Sequence, residues 1–260
     1  MTKKKNKDVG HSGMIKKPKY LIWWMFVIGI FFICICLQIP AAWLVAKFYK
    51  NNSIVHNVNG NIWHGQADWR KGHLTGSMAW KVRPLDLFLL RLGAQVEVRS
   101  GQTQLNGIVG YGLGKSIILQ QLNGKIAPET LKNLVDWQWP THAIQLQDLH
   151  LNFKKQQGFS QVDGQLQWVG GELTYIYAQR QDRINIPTLK GKLSDQNHKL
   201  MLDIRDQRDQ KLMALEIDQN LMSNVQFTQR FLMNIPSYKG KAGLDTYVMS
   251  SRQPLFKGGF

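Results

Sequence analysis

The run YLIWWMFVIGIFFICICL, Tyr20 to Leu37, holds eighteen residues without a charge and sets the frame for everything after it. As a helix rising about 1.5 Å per residue it covers roughly 27 Å, close to the ~30 Å hydrocarbon core of a bilayer. The expectation is one transmembrane anchor over residues 20–46, since the apolar character continues past Gln38 and Pro40 into AAWLVA. Seven lysines precede the run against one acid, Asp8. The positive-inside rule then makes residues 1–19 a basic cytoplasmic tail and puts residues 47–260 on the far side. A cleaved signal peptide is the rival reading. Its apolar region would run ~7–15 residues to a small-x-small site, and QIPAAWLVAKFY offers only an imperfect one.

Cys34 and Cys36 are the only cysteines and both lie inside the run. The exported part therefore has neither a disulfide framework nor a cysteine metal site, and must hold together by burial and hydrogen bonding. The formal net charge is +16. With +6 of it in the tail, +10 remains from Tyr20 onward, a balance that attracts anionic lipid or acidic proteins. Nucleic acid is the poorest fit on the far side of a membrane.

Past the anchor the dominant period is two. In AQVEVR, Ala94, Val96 and Val98 share one face; LHLNF aligns Leu149, Leu151 and Phe153; GQLQW and LDTYVMS alternate in the same way. Through these strands runs a repeat of aliphatic-x-Gly-x-aliphatic, with glycines at Gly60, Gly76, Gly107, Gly124, Gly164 and Gly191. In an extended chain each glycine falls on the face of its two aliphatics. It leaves a notch for a neighbouring aromatic or a bulge that lets the sheet curve, the alternative being that several are simple turns. Helices are expected in APETLKNLVDW and NVQFTQRFLMNIP, while PLDLFLLRLG suits a helix or an apolar strand. The predicted fold is mainly β: one transmembrane helix, then a curved, mostly antiparallel sheet domain with a few short helices.

No catalytic set emerges. GYGLGKS ends like a phosphate loop, but Val109 stands where the first glycine is required and IILQQLNGK reads as a strand rather than the needed helix. His56, His64 and His73 lack metal-ligand spacing. DIRDQRDQ spaces its acids by three among arginines, which suits a solvated strand end or hairpin and not a calcium loop. No Gly-x-Ser-x-Gly elbow is present. Trp63, Trp69, Trp80, Trp137, Trp139 and Trp168 read as core or sheet-stacking residues, with an apolar groove for a lipid or partner as the other use. Neither an enzyme nor a cofactor is indicated.

Two further elements give the chain a resemblance. VNGNIWHGQA carries Gly60, Ile62, Trp63, Gly65 and Ala67 in the order Gly-x-aliphatic-Trp-x-Gly-x-Ala. MAWKVRPLDLFLLRLGAQVEV carries Trp80, Val82, Arg83, Pro84 and Leu85 ahead of a leucine-rich stretch and a strand. Behind a basic tail and one span, these elements and VDGQLQWVGGEL resemble the type II secretion system protein N family. The resemblance covers nearly the whole chain, most firmly as far as Trp168. It implies an accessory inner-membrane subunit, its bulk periplasmic, that supports export of folded proteins across the outer membrane through contacts with other secretion subunits. It carries over no catalytic residue. Gly60, Ile62, Trp63, Gly65, Trp80, Arg83 and Pro84 are the structural and interaction candidates. The predicted domain is also similar in style to AsmA-like groove proteins, so the alternative is a lipid-binding or lipid-transfer module. If Trp63 is buried, Trp63→Ala should cost about 3–5 kcal/mol in a denaturation measurement.

Overall fold

A computed structural model describes residues 19–48, 54–88, 90–112, 114–134, 141–177, 180–235 and 238–255. The chain divides into two compact units, Met1–Ile39 and Pro40–Phe260. In the first, helix α1 spans Lys19–Gln38. It stops two residues before Pro40, as expected from the bias of a pre-proline residue away from helical backbone. Among the described residues no helix is long and apolar enough to cross a membrane, so the expected anchor rests on the hydrophobic run itself.

The second unit opens with α2 (Ala41–Phe48) and a bridge from Pro40 to Asn61. A meander follows: β1 (Val55–Gly60), β2 (His64–Lys71), β3 (Leu74–Val82), helix α3 (Pro84–Phe88), β4 (Arg91–Ser100), β5 (Thr103–Gly112) and β6 (Ser116–Ile126). Helix α4 (Pro128–Leu134) precedes β7 (Ile144–Lys154) and β8 (Gly158–Trp168). Each of these strands pairs antiparallel with the next. Strands β9 (Gly171–Tyr177) and β10 (Arg180–Ile186) then leave the sheet and pair only with each other. The chain returns with β11 (Leu189–Gln196) against β8, and β12 (Lys199–Arg205), β13 (Lys211–Ile217), β14 (Met222–Thr228), helix α5 (Gln229–Leu232) and β15 (Tyr247–Pro254) complete a sheet of thirteen strands.

One face of this sheet gathers the buried apolar side chains. Leu146 and Leu149 on β7, Phe159 and Val162 on β8, Leu193 on β11, Leu200 on β12 and Ile217 on β13 form one core cluster, each only 5–7% exposed. Leu105 of β5 and Leu255 beyond β15 pack against the same cluster. A single-layer sheet achieves such burial by curling its apolar face upon itself, which requires bulges. They are stacked in neighbouring strands: the register shifts at Asn106–Ile108 on β5, Leu119–Gly124 on β6 and Gln147–Asn152 on β7. Gln121, Asp148 and Gln161 there take positive φ of 51°, 47° and 53°. Side chains replace the lost ladder bonds, since Asn123 Oδ1 accepts from the Asp148 amide at 2.9 Å and Asp195 Oδ1 from the Val162 amide at 2.9 Å.

The repeat glycines serve both expected purposes. On the β2–β3 hairpin, Trp69 stands opposite Gly76 and Trp80 opposite Gly65. A Cβ at Gly76 would lie 2.7 Å from Cε2 of Trp69, and one at Gly65 would lie 2.5 Å from Cζ2 of Trp80. Each indole therefore lies in its partner's notch. Gly124 and Gly164, at φ of 140° and 141°, sit instead at the bulges.

Two local expectations need correction. NVQFTQRFLMNIP is not one helix: Met222–Thr228 is strand β14 and only Gln229–Leu232 is helical, because Val225 and Phe227 alternate onto the apolar face while Thr228 caps the helix through the Phe231 amide. LDTYVMS is a strand only from Tyr247. PLDLFLLRLG divides, with α3 ending at Phe88 and β4 starting at Arg91. The predicted helix over APETLKNLVDW is present as Pro128–Leu134, and its remainder, with Trp137 and Trp139, lies outside the described residues.

Filling a notch should overpack the hairpin. Gly76→Ala is expected to lower the stability of the detergent-purified chain by about 1–3 kcal/mol. In a Trp69→Ala background only the indole's share of that cost should be recovered, since a Cβ at Gly76 would still crowd the Arg99 carbonyl oxygen; denaturant titration of the double-mutant cycle reads the coupling directly.

Candidate functional site

The seven candidate residues gather at one end of β1–β3. Gly60 ends β1 opposite Gly65, with φ of 93°, and a Cβ there would meet the His64 carbonyl oxygen at 2.5 Å. Ile62 and Trp63 occupy the turn and are half-buried. Asn61 organises this turn: its Oδ1 accepts from the Trp63 amide at 3.0 Å and the His64 amide at 2.9 Å, an Asx turn. The Trp63 carbonyl in turn accepts from the Val82 amide at 2.6 Å, which ties the turn to the far end of β3. Half-burial places Trp63→Ala below the full range for a buried aromatic.

Beyond Val82 the Arg83 amide donates to the Gly93 carbonyl at 2.8 Å, and Pro84 opens α3 at a position that needs no amide hydrogen. The centre of this segment is Asp86, only 3% exposed. Its Oδ1 accepts from Nη2 and Nε of Arg91 at 3.0 and 3.3 Å, and its Oδ2 lies 3.6 Å from Nε of Arg83. Gly93 leaves the room, since a Cβ there would come within 2.8 Å of the Asp86 carboxyl carbon. Asp86, Arg91 and Gly93 were not among the sequence candidates. The available signal was a lone acid between two arginines in an otherwise apolar stretch.

One concavity borders these elements and another lies further along the sheet. A cleft of about 690 Å³ on the polar face includes Arg83, Pro84, Gln95, Asn106, Gln121 and Asn123. Its amides offer hydrogen bonds, and Lys81, Arg83 and Asp148 bring charge to the same lining. The apolar face holds a trough of about 530 Å³ lined by Leu166, Trp168, Leu202, Ile204, Leu215 and Phe227, among others. These residues come from the alternating strands β8 to β14, and the β8-to-β11 jump that brings them together is not a local signal. Buried Trp168 lies at this trough, and its indole N–H has no hydrogen-bond partner among the described residues.

The segments weighed for chemistry are structural. Ser116 of GYGLGKS starts strand β6, with no helix behind it. Arg205 of DIRDQRDQ reaches Asp203 at 2.8 Å and Asp209 at 3.3 Å across a strand end and turn. The hydrogen bond to Asp203, then its charge, and to a lesser degree Asp209 push the guanidinium pKa above its ordinary value. Among the described residues no group of three or more histidine, cysteine or carboxylate side chains could hold a metal ion.

Removing the buried carboxylate costs its hydrogen bonds, while the arginines it frees, 27% and 42% exposed, can reach water. Asp86→Ala should destabilise the chain by about 1–3 kcal/mol, the range for losing hydrogen bonds to a charged group. Arg83→Ala should cost distinctly less, because its partner distance is longer and its side chain is 42% exposed. Urea midpoints of the two variants test the ranking.

A family model described as type II secretion system (T2SS), protein N, matches residues 52–232, more than two thirds of the chain. No curated protein and no solved structure matches it.

Proposed function

Given that the chain belongs to the type II secretion system protein N family, we propose that it is an accessory inner-membrane subunit that presents a periplasmic β-sheet unit to other secretion subunits. The family is one of accessory secretion components and not a known enzyme family. The observation that carries the reading is that the matched residues run from just before β1 to the end of α5. The family's defining part is therefore the sheet, a structure that offers extended surfaces for partners. The eighteen uncharged residues from Tyr20 to Leu37 support the anchor by their length and apolar character. The lysines ahead of it support a cytoplasmic N-terminus. Gly60, Ile62, Trp63, Gly65, Trp80, Arg83 and Pro84 then act as positioning residues that shape one end of the sheet.

Deletion of the gene should leave inner-membrane crossing intact and cause type II substrates to accumulate in the periplasm. Fractionation reads this, and secretion at the parental level would overturn the proposal. The 530 Å³ apolar trough favours a second reading, an acyl-chain site on the same sheet. In that case, native mass spectrometry of the detergent-purified chain should detect bound lipid, and Leu202→Trp should abolish it by filling the trough.

A further inference from the structure

One end of the sheet unit carries a cluster of bulky apolar side chains turned outward. Leu85 and Phe88 of α3 are 74% and 84% exposed, and Leu90 and Leu92 are 66% and 60% exposed. Leu92 stands opposite Tyr111, and Tyr111 opposite Ile117, so the exposed row continues across β4, β5 and β6. Such a cluster costs free energy in water and marks an interaction surface. It is also firmly mounted, because the Asp86–Arg91 pair and the Arg83 amide on Gly93 fasten the segment from beneath.

Its surroundings narrow the partner. Arg91 pairs with Gly112, Gly112 with Ser116 and Ser116 with Lys154, so Arg91, Lys154 and the turn residue Lys115 line the same sheet end. From Lys81 to Ile118 the only acids are Asp86 and Glu97. Asp86 is buried in its ion pairs and Glu97 is engaged by Arg99, so the free charge at this end is positive. The same end includes Gly60, His64 and Lys81, and next to them Asn61 pairs with Pro40, the residue at which the chain enters the sheet unit from the hydrophobic run. An apolar tip with a basic rim, at the sheet end where Pro40 brings the chain into the sheet unit, has the chemistry of a bilayer interface.

We propose that the exposed side chains of Leu85, Phe88, Leu90 and Leu92, with the adjoining Tyr111 and Ile117, dock on the surface of the anionic bilayer in which the chain is anchored. Phe88 and its neighbours enter the headgroup–acyl boundary, a depth of about 5–10 Å for interfacial apolar faces, and the basic rim contacts lipid phosphates. This inference rests on the anchor reading above.

The test uses the full chain with Cys34→Ser and Cys36→Ser, so that one introduced cysteine carries an environment-sensitive fluorophore. Phe88→Cys reports on the tip and His73→Cys, in the β2–β3 turn at the opposite sheet end, is the control. In phosphatidylethanolamine–phosphatidylglycerol vesicles, headgroup-region nitroxide lipid should quench the label at 88 several-fold more than the label at 73. Lys115→Glu with Lys154→Glu should reduce that difference, as should phosphatidylcholine vesicles. A chain that floats with the vesicles and resists carbonate, yet keeps the label at 88 in water, overturns the docking while the anchor stands. A carbonate-extractable chain whose label at 88 is still quenched overturns the anchor and keeps the docking. A label at 88 shielded only when other secretion subunits are added assigns the patch to a protein and overturns the proposal. Because Phe88 is the most exposed of these side chains, its replacement leaves the fold intact, which an unchanged protease-digestion pattern verifies.

Discussion

A single-layer sheet with one apolar face has nothing but itself to cover that face, and this requirement governs the sheet unit. Burial to 5–7% exposure is reached along β7 to β13, beside the bulges stacked on β5, β6 and β7 that let the face curl inward. On the β2–β3 hairpin the same need is met differently, by laying two indoles into two glycine notches across one pair of strands. The two devices share one cause. Either the backbone bends so that side chains meet, or a side chain is removed so that a larger neighbour can lie flat. Polar side chains such as Asn123 and Asp195 then supply the hydrogen bonds that the bends take from the ladder.

How much of this was legible in the sequence depends on the range of the interaction. Period-two patterning identified β4, β7 and β8, and the glycine repeat identified where the sheet would need space or curvature, because both are set by neighbours a few residues away. Trp69 opposite Gly76 and Trp80 opposite Gly65 needed only a hairpin register to become pairs. The segment misread as a helix was NVQFTQRFLMNIP, from Asn224, where a buried strand and a one-turn helix meet at Thr228 and the combined apolar pattern imitates a single helix. The sites that escaped are long-range or combinatorial. The trough forms only because β9 and β10 step out and let β11 return to β8. Asp86 becomes a buried anchor only once Gly93 is beneath it.

The family match stops at Leu232, so β15 lies outside the part that defines the family, although it pairs with β14 along its whole length. The polar face has a cleft lined by amides together with Lys81, Arg83 and Asp148, the apolar face a trough, and the α3 end an exposed hydrophobic tip. None of these requires a perturbed acid or base. The ion pairs serve to fix backbone, as at Asp86 and at Arg205, rather than to move protons.

The order of the strands has a kinetic consequence. From β1 to β8 every strand pairs with its immediate successor, so these contacts close short loops and the entropic cost of pairing remains low. A chain delivered N-terminus first can add one hairpin at a time to a growing edge, much as a repeat array extends from its neighbours. Only the return of β11 to β8 must wait for the excursion between them. The meander thus lets the sheet be assembled vectorially, in the same direction as synthesis.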